Sequence, residues 1–214
     1  MIARVLPVIV LVITAAPLPQ VSAQPTLQGL IEASMHECHQ GRVAKERGDR
    51  IAHFEEGQRL GERAVALDER SAEAHFSLFC NLGELMRIDG EVSVSSVVGF
   101  RRMMHELDRT LELAPGHLDA LSARGTFLIR LPSLLGGDPD HGEQLLRYVI
   151  AREPQAVNAR LSLAKSYCGR GRHREAVALA TEALTLAHAQ HRDDFIPEAT
   201  RLLSQIHNAA NKAN

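Results

Sequence analysis

Tryptophan is absent from this chain of 214 residues, and aromatic residues make up only 4% of it. That scarcity argues against a β-sandwich or barrel, whose strands draw on aromatic and β-branched side chains. An excess of one charge is missing too: 24 Lys and Arg stand against 26 Asp and Glu, a formal net charge of -2. Neither nucleic acid nor an anionic membrane is an expected partner at that balance. Cysteine is scarce, and the three residues present (Cys38, Cys80 and Cys168) make an odd count. The chain is therefore not a disulfide scaffold, and its core must come from packing.

Catalytic and metal signatures are equally thin. His36-Glu37-Cys38-His39 has zinc-type donors, but neighbours on a helix face lie three or four apart, and no second CxxC or HxxxH completes a site. His188 and His191 suit a helix C-terminus, where the dipole favours a cation. Gly136-Gly137-Asp138 is followed by Pro139 and Asp140, whereas a phosphate loop needs Lys and Ser or Thr there. No GxSxG occurs, and no carboxylate pair stands out. The expectation is a non-enzyme with no cofactor and no metal.

What is present is helix-forming. Ala, Leu, Glu and Arg dominate the chain. At the N-terminus Arg4 precedes an apolar run from Val5 to Ala16, then Pro17, Pro19 and Val21-Ser22-Ala23. This pattern predicts a secretory signal peptide over residues 1–23, cleaved after Ala23. The run is well short of the roughly 20 residues of a bilayer span, and Pro7 interrupts it. No cysteine follows the cleavage point to carry a lipid anchor. The mature chain is expected in the periplasm or secreted, with no membrane span. Residues 24–31 read as a flexible lead-in and 32–214 as one helical domain.

A repeat organises that domain. With Val157 as the first place of a frame, Leu163-Ala164, Tyr167, Gly171, Ala176, Ala180 and Ala183 fall where two antiparallel helices need small residues at their crossings and larger ones between. The pattern resembles the tetratricopeptide (TPR) repeat, whose period is about 34 residues. Pro154 and Pro115 sit where earlier repeats should end. Four helix pairs are expected: Glu32–Leu67, Ala72–Leu113, Leu118–Arg152 and Val157–Ala189. A capping helix over Phe195–Ala210 would keep the end of the stack soluble. The predicted architecture is thus an all-α, α-α superhelix of about four TPR pairs. Two pairs carry insertions, at 89–96 and 131–138. In the second, Pro132 should end a helix, Gly136-Gly137 turn the chain, and Asp138 cap the next helix with Pro139 in its first turn.

Leu131-Pro132 followed by Leu135-Gly136-Gly137-Asp138, and then Arg152-Glu153-Pro154, resembles exported TPR proteins associated with bacterial TRAP transporters, the TatT-like family. That resemblance implies a periplasmic α-α bundle that pairs with the solute-binding protein of a TRAP transporter.

The TPR resemblance also implies which side chains face the concave side. They are Phe76, Cys80 and Glu84 from the second pair, Thr126, Ile129 and Arg130 from the third, and Asn158, Leu161 and Lys165 from the fourth, with Asp119 and Ser122 beside them. Apolar anchors next to cations suit a recognition groove. The expected function is a protein-interaction module of the bacterial cell envelope that takes a partner protein or peptide on this face. The alternative is an accessory that holds a small or apolar solute for a TRAP-type transporter. Cys38 and Cys80 fall on concave-facing turns of adjacent first helices, roughly one turn out of register, which leaves both a bridge and free thiols open.

Overall fold

The computed structural model describes residues 25–89 and 94–213. The expected signal segment, and residues 90–93 of the first insertion, lie outside the described residues. Nine α-helices run through the described residues: α1 (Leu27–Val43), α2 (Arg47–Leu67), α3 (Ala72–Asp89), α4 (Val94–Leu113), α5 (Leu118–Arg130), α6 (Pro139–Arg152), α7 (Val157–Gly169), α8 (His173–Ala189) and α9 (Ile196–Ala213). No strand occurs among the described residues. Consecutive helices pair as antiparallel hairpins, and the odd-numbered helices stack side by side, α1 on α3, α5 on α7, and α7 on α9. The architecture is the α-α superhelix expected from the repeat.

Local chemistry explains the helix limits. Thr26 Oγ1 accepts a hydrogen bond from the Gly29 amide at 3.1 Å and starts α1 at Leu27, inside the stretch 24–31 read from sequence as a flexible lead-in. Leu30 and Ile31 are buried there, and that burial offsets the entropy of ordering the segment. Pro132 follows the end of α5 as expected. Asp138 accepts from the His141 amide at 3.0 Å, with Pro139 at the first position of α6. Between them Ser133–Leu135 forms one turn of 3₁₀ helix, closed by Gly136 at φ 86°. The first insertion is shorter than expected, because α4 already begins at Val94. At the end of α8 His191 takes a left-handed φ of 54°, and the Arg192 amide returns to the Ala187 carbonyl at 2.8 Å. This is the geometry glycine usually supplies at a helix C-terminus.

Small residues let neighbouring helices approach closely. Gly61 of α2 faces the backbone of α3, where an added Cβ would come within 2.9 Å of Leu78 Cα. Gly125 and Gly142 do the same for α5 and α6, with 3.0 Å from an added Cβ on Gly125 to the Gly142 carbonyl oxygen. In α8, Ala176, Ala180, Ala183 and Ala187 are all fully buried against α7 and α9. Larger side chains fill the remaining space. Phe54, Leu107, Leu146 and Ile206 have no exposed surface, and each such burial contributes about 1.5–3 kcal/mol. Between the second and third hairpins the filling is aromatic: Phe76 lies tilted against His117 with ring centroids 4.5 Å apart, and Phe127 meets Phe79 at 6.3 Å and Phe100 at 6.1 Å.

Polar groups are also buried, and they tie hairpins together. Ser34 Oγ donates to the Gly57 carbonyl at 2.8 Å, and Asn81 Nδ2 donates to Ser34 O and Oγ, both at 3.1 Å. His75 and Glu106 form a buried pair at 2.6 Å between α3 and α4. Buried polar groups of this kind are tolerated where they find partners, as Ser34, His75, Glu106 and the Asn81 amide nitrogen do.

Candidate functional site

The inner faces of the odd-numbered helices line one trough of about 630 Å³. Met35 and Arg42 come from α1, and Phe76, Cys80, Glu84 and Arg87 from α3. Asp119, Thr126 and Arg130 come from α5, and Asn158 and Lys165 from α7. Phe195, Glu198 and Arg201 come from the last helix and the residue before it. Positions one helical turn apart point the same way, so each helix contributes a column of side chains and the stack makes a corrugated wall.

Hydrogen bonds fix the floor. Thr126 Oγ1 donates to Ser162 Oγ at 2.8 Å and Asn158 Nδ2 to Ser122 Oγ at 3.3 Å, which sets α5 and α7 in register. Glu84 sits between two guanidinium groups, 2.8 Å from Arg42 and 2.6 Å from Arg87. Lys165 is paired with Glu198 of α9. At the far wall Arg192 grips Asp194 with two 3.0 Å bonds. Burial pushes the Asp194 carboxyl up, but those bonds and the charges of Arg192, Arg42 and His39 outweigh it and hold the group below the ordinary carboxylate range. Arg42 belongs to the first helix and Asp194 to the approach to the last, so the superhelix brings its two ends toward each other across the trough.

The trough unites most of the side chains that the repeat frame pointed inward. Phe76, Cys80, Glu84, Thr126, Arg130, Asn158 and Lys165 all line it, as do Asp119 and Ser122. Leu161 does not: it is fully buried, packed among the core residues of the C-terminal helices. Ile129 also turns away, toward α6, where it lies against Gly142. Ile129 is partly buried and packs against the same core cluster that holds Leu161. The frame in turn missed Arg42, Arg87, Glu153, Arg192, Phe195, Glu198 and Arg201. For α9 the signal was available. Glu198 follows Lys165 by nearly one repeat, so a helix read only as a cap continues the inner series.

Among the described residues, no cluster of three or more His, Cys, Asp or Glu side chains could hold a metal ion. No helix among them is long and apolar enough to cross a membrane. The side chains in the trough can offer ion pairs, amide hydrogen bonds and a few apolar contacts.

No family model matches the sequence, and no curated protein matches it. Solved structures do. A thermophilic TPR protein of Thermus thermophilus, TTC0263, overlays with a TM-score of 0.52 at 19% identity, covering 86% of this chain and 99% of that one. MamA from Desulfovibrio magneticus RS-1 gives 0.47 at 15% identity, covering 87% and 98%. YrrB, a TPR protein with an unusual peptide-binding site, gives 0.37 at 14% identity, covering 71% and 85%. The overlay on the Thermus protein shows that the chain has the helical-repeat fold of tetratricopeptide-repeat proteins.

Proposed function

We propose that the trough binds an extended segment of a partner protein, and that the chain does this outside the cytoplasm, in the bacterial cell envelope, as a scaffold without catalytic activity of its own. The observation that carries this reading is the convergence of side chains from five separate helices, α1, α3, α5, α7 and α9, on one continuous trough. A trough of that build suits a chain laid along it better than a compact solute. Its lining supports the same choice. Phe76 offers an apolar surface, while Arg130, Asn158 and Lys165 offer partners for backbone carbonyls and carboxylates.

The alternative, an accessory of a TRAP-type transporter that holds an apolar solute, calls for a deep apolar pocket beneath the inserted loops. The trough is lined instead by charged and polar side chains of the inner helices, which favours the peptide reading.

The test is selection of random peptides displayed on phage against the purified chain, followed by fluorescence anisotropy of the selected peptides. Arg130→Glu combined with Asn158→Ala should weaken them. Truncating one good anchor typically costs about 2 kcal/mol, roughly thirtyfold in affinity. Arg174→Glu, on the exposed face of α8, should not weaken them. Loss only in the Arg174 variant would move the site off the trough and defeat the reading.

A further inference from the structure

The thiols of Cys38, on α1, and Cys80, on α3, lie close enough for each to perturb the other's acidity. Two fixed contacts flank Cys38 on α1. On one side Asn81 of α3 donates to Ser34 of α1 at 3.1 Å. On the other, Arg42 of α1 donates to Glu84 of α3 at 2.8 Å. Ser34, Cys38 and Arg42 are successive turns of one face of α1, and Cys80 adjoins Asn81 on α3, so both cysteines lie in the seam that these two contacts hold together. Both thiols belong to the same buried cluster. Cys38 is 1% exposed, whereas Cys80 also lines the trough and so can be reached from it. The third cysteine, Cys168, packs against a different cluster, that of the C-terminal helices.

We propose that Cys38 and Cys80 form a dithiol site that closes to an intramolecular disulfide by exchange with a disulfide-bonded oxidant, stapling the first helix to the third along the wall of the trough. The inference rests on the thiol pair and not on what the trough binds.

The electrostatics support the exchange. The hydrogen bond from Cys80 lowers the Cys38 thiol below its ordinary range against the opposing effect of burial, and the charges of Arg42 and Arg87 act in the same direction. Cys80, in contrast, is pushed up by that hydrogen bond and by burial. Cys38 is therefore the more acidic of the two thiols, and Cys80 the one that the trough reaches. Cys80 gives its proton to solvent and its sulfur attacks the oxidant's disulfide from the trough, a mixed disulfide forms on Cys80, and one thiolate of the oxidant departs. That thiolate is protonated from solvent, and Cys38 gives up its own proton. Cys38 sulfur then attacks Cys80 sulfur and expels the second thiolate, which is protonated from solvent. The two protein thiols lose two electrons and two protons in total. The oxidant's S–S bond gains them and becomes two thiols.

Oxidised glutathione serves as the probe on the unaltered full chain, with Cys168 as an internal control. After treatment the chain is unfolded without reductant, alkylated, weighed and digested. The expected product carries glutathione on Cys168 only, has no alkylated thiol at Cys38 or Cys80, and yields one cross-linked peptide joining them. Its melting temperature should rise by about 5–10 °C and return on reduction, as expected for closing a loop of this length. Cys38→Ser should instead leave a glutathione adduct on Cys80. Alkylatable thiols at both positions after Cys168 has reacted, or separate glutathione adducts on both, would overturn the proposal. The decisive measurement leaves the pair unaltered, so a folding defect in the variant cannot obscure it.

Discussion

Asn81 rests its amide directly on Gly57, so closely that a Cβ at Gly57 would overlap the oxygen, the carbon and the nitrogen of that amide. The same amide donates to Ser34, whose hydroxyl donates to the Gly57 carbonyl. Three helices from two hairpins thus meet in one buried polar knot, possible only because α2 carries no side chain at that point.

Gly57→Ala should cost about 1–3 kcal/mol through overpacking, even though alanine favours a helix more than glycine does by about 1 kcal/mol. Chemical denaturation measures it. Asn81→Ser in the same chain should recover part of the loss, because the shorter side chain vacates the space. Purely additive losses in the double-mutant cycle would show that the two positions are not coupled.

The turn between α5 and α6 rests on two glycines for two reasons. Gly136 has φ 86°, where a Cβ is strained. Gly137 has no positive φ, but a Cβ there would run into the Leu131 carbonyl. Gly136→Ala should cost about 1 kcal/mol, and Gly137→Val about 2 kcal/mol or more. Thermal melts rank them. An unchanged melting temperature for Gly137→Val would refute a structural role for this turn.

Leu161 and Lys165 lie one turn apart on α7 yet should behave oppositely. Leu161→Ala opens a cavity in the core and should cost about 2–5 kcal/mol of stability, with little effect on peptide affinity in the fraction that stays folded. Lys165→Ala removes an exposed ion pair worth about 1 kcal/mol or less and should weaken peptides selected against the trough. Paired melts and anisotropy titrations decide it; an affinity loss confined to Leu161→Ala would reverse the assignment.

Acid should loosen the far wall of the trough. Arg192, Arg42 and His39 face the Asp194 carboxyl and hold it below its ordinary range. A depressed carboxyl contributes stability above its unfolded value, near about 4, and that contribution is lost as pH falls through the folded value. Denaturation midpoints followed from about pH 6 down to about pH 2.5 should fall more steeply for the native chain than for Asp194→Asn. Parallel curves would remove Asp194 from the account.

Much of this architecture was written locally. The spacing of Ala164, Ala176 and Ala183 gave the last hairpin, and the structure places it at Val157–Gly169 and His173–Ala189. Pro132, the glycine pair and Asp138 marked a turn and a cap that form as read. Such features are legible because they depend on the residues beside them: a cap needs a side chain near its own amide, and a hairpin seam repeats with the helix period. What the sequence left undecided depends on how one hairpin is rotated against the next. That rotation sends Leu161 into the core, leaves Lys165 on the wall, and turns α9 from a cap into part of the trough. It also brings Cys38 and Cys80 into one buried cluster, although the repeat frame put them a turn apart. The rotation is set by close approaches between residues distant in sequence, Gly57 with Asn81 and Phe76 with His117 among them, and no local pattern encodes the sum of those contacts.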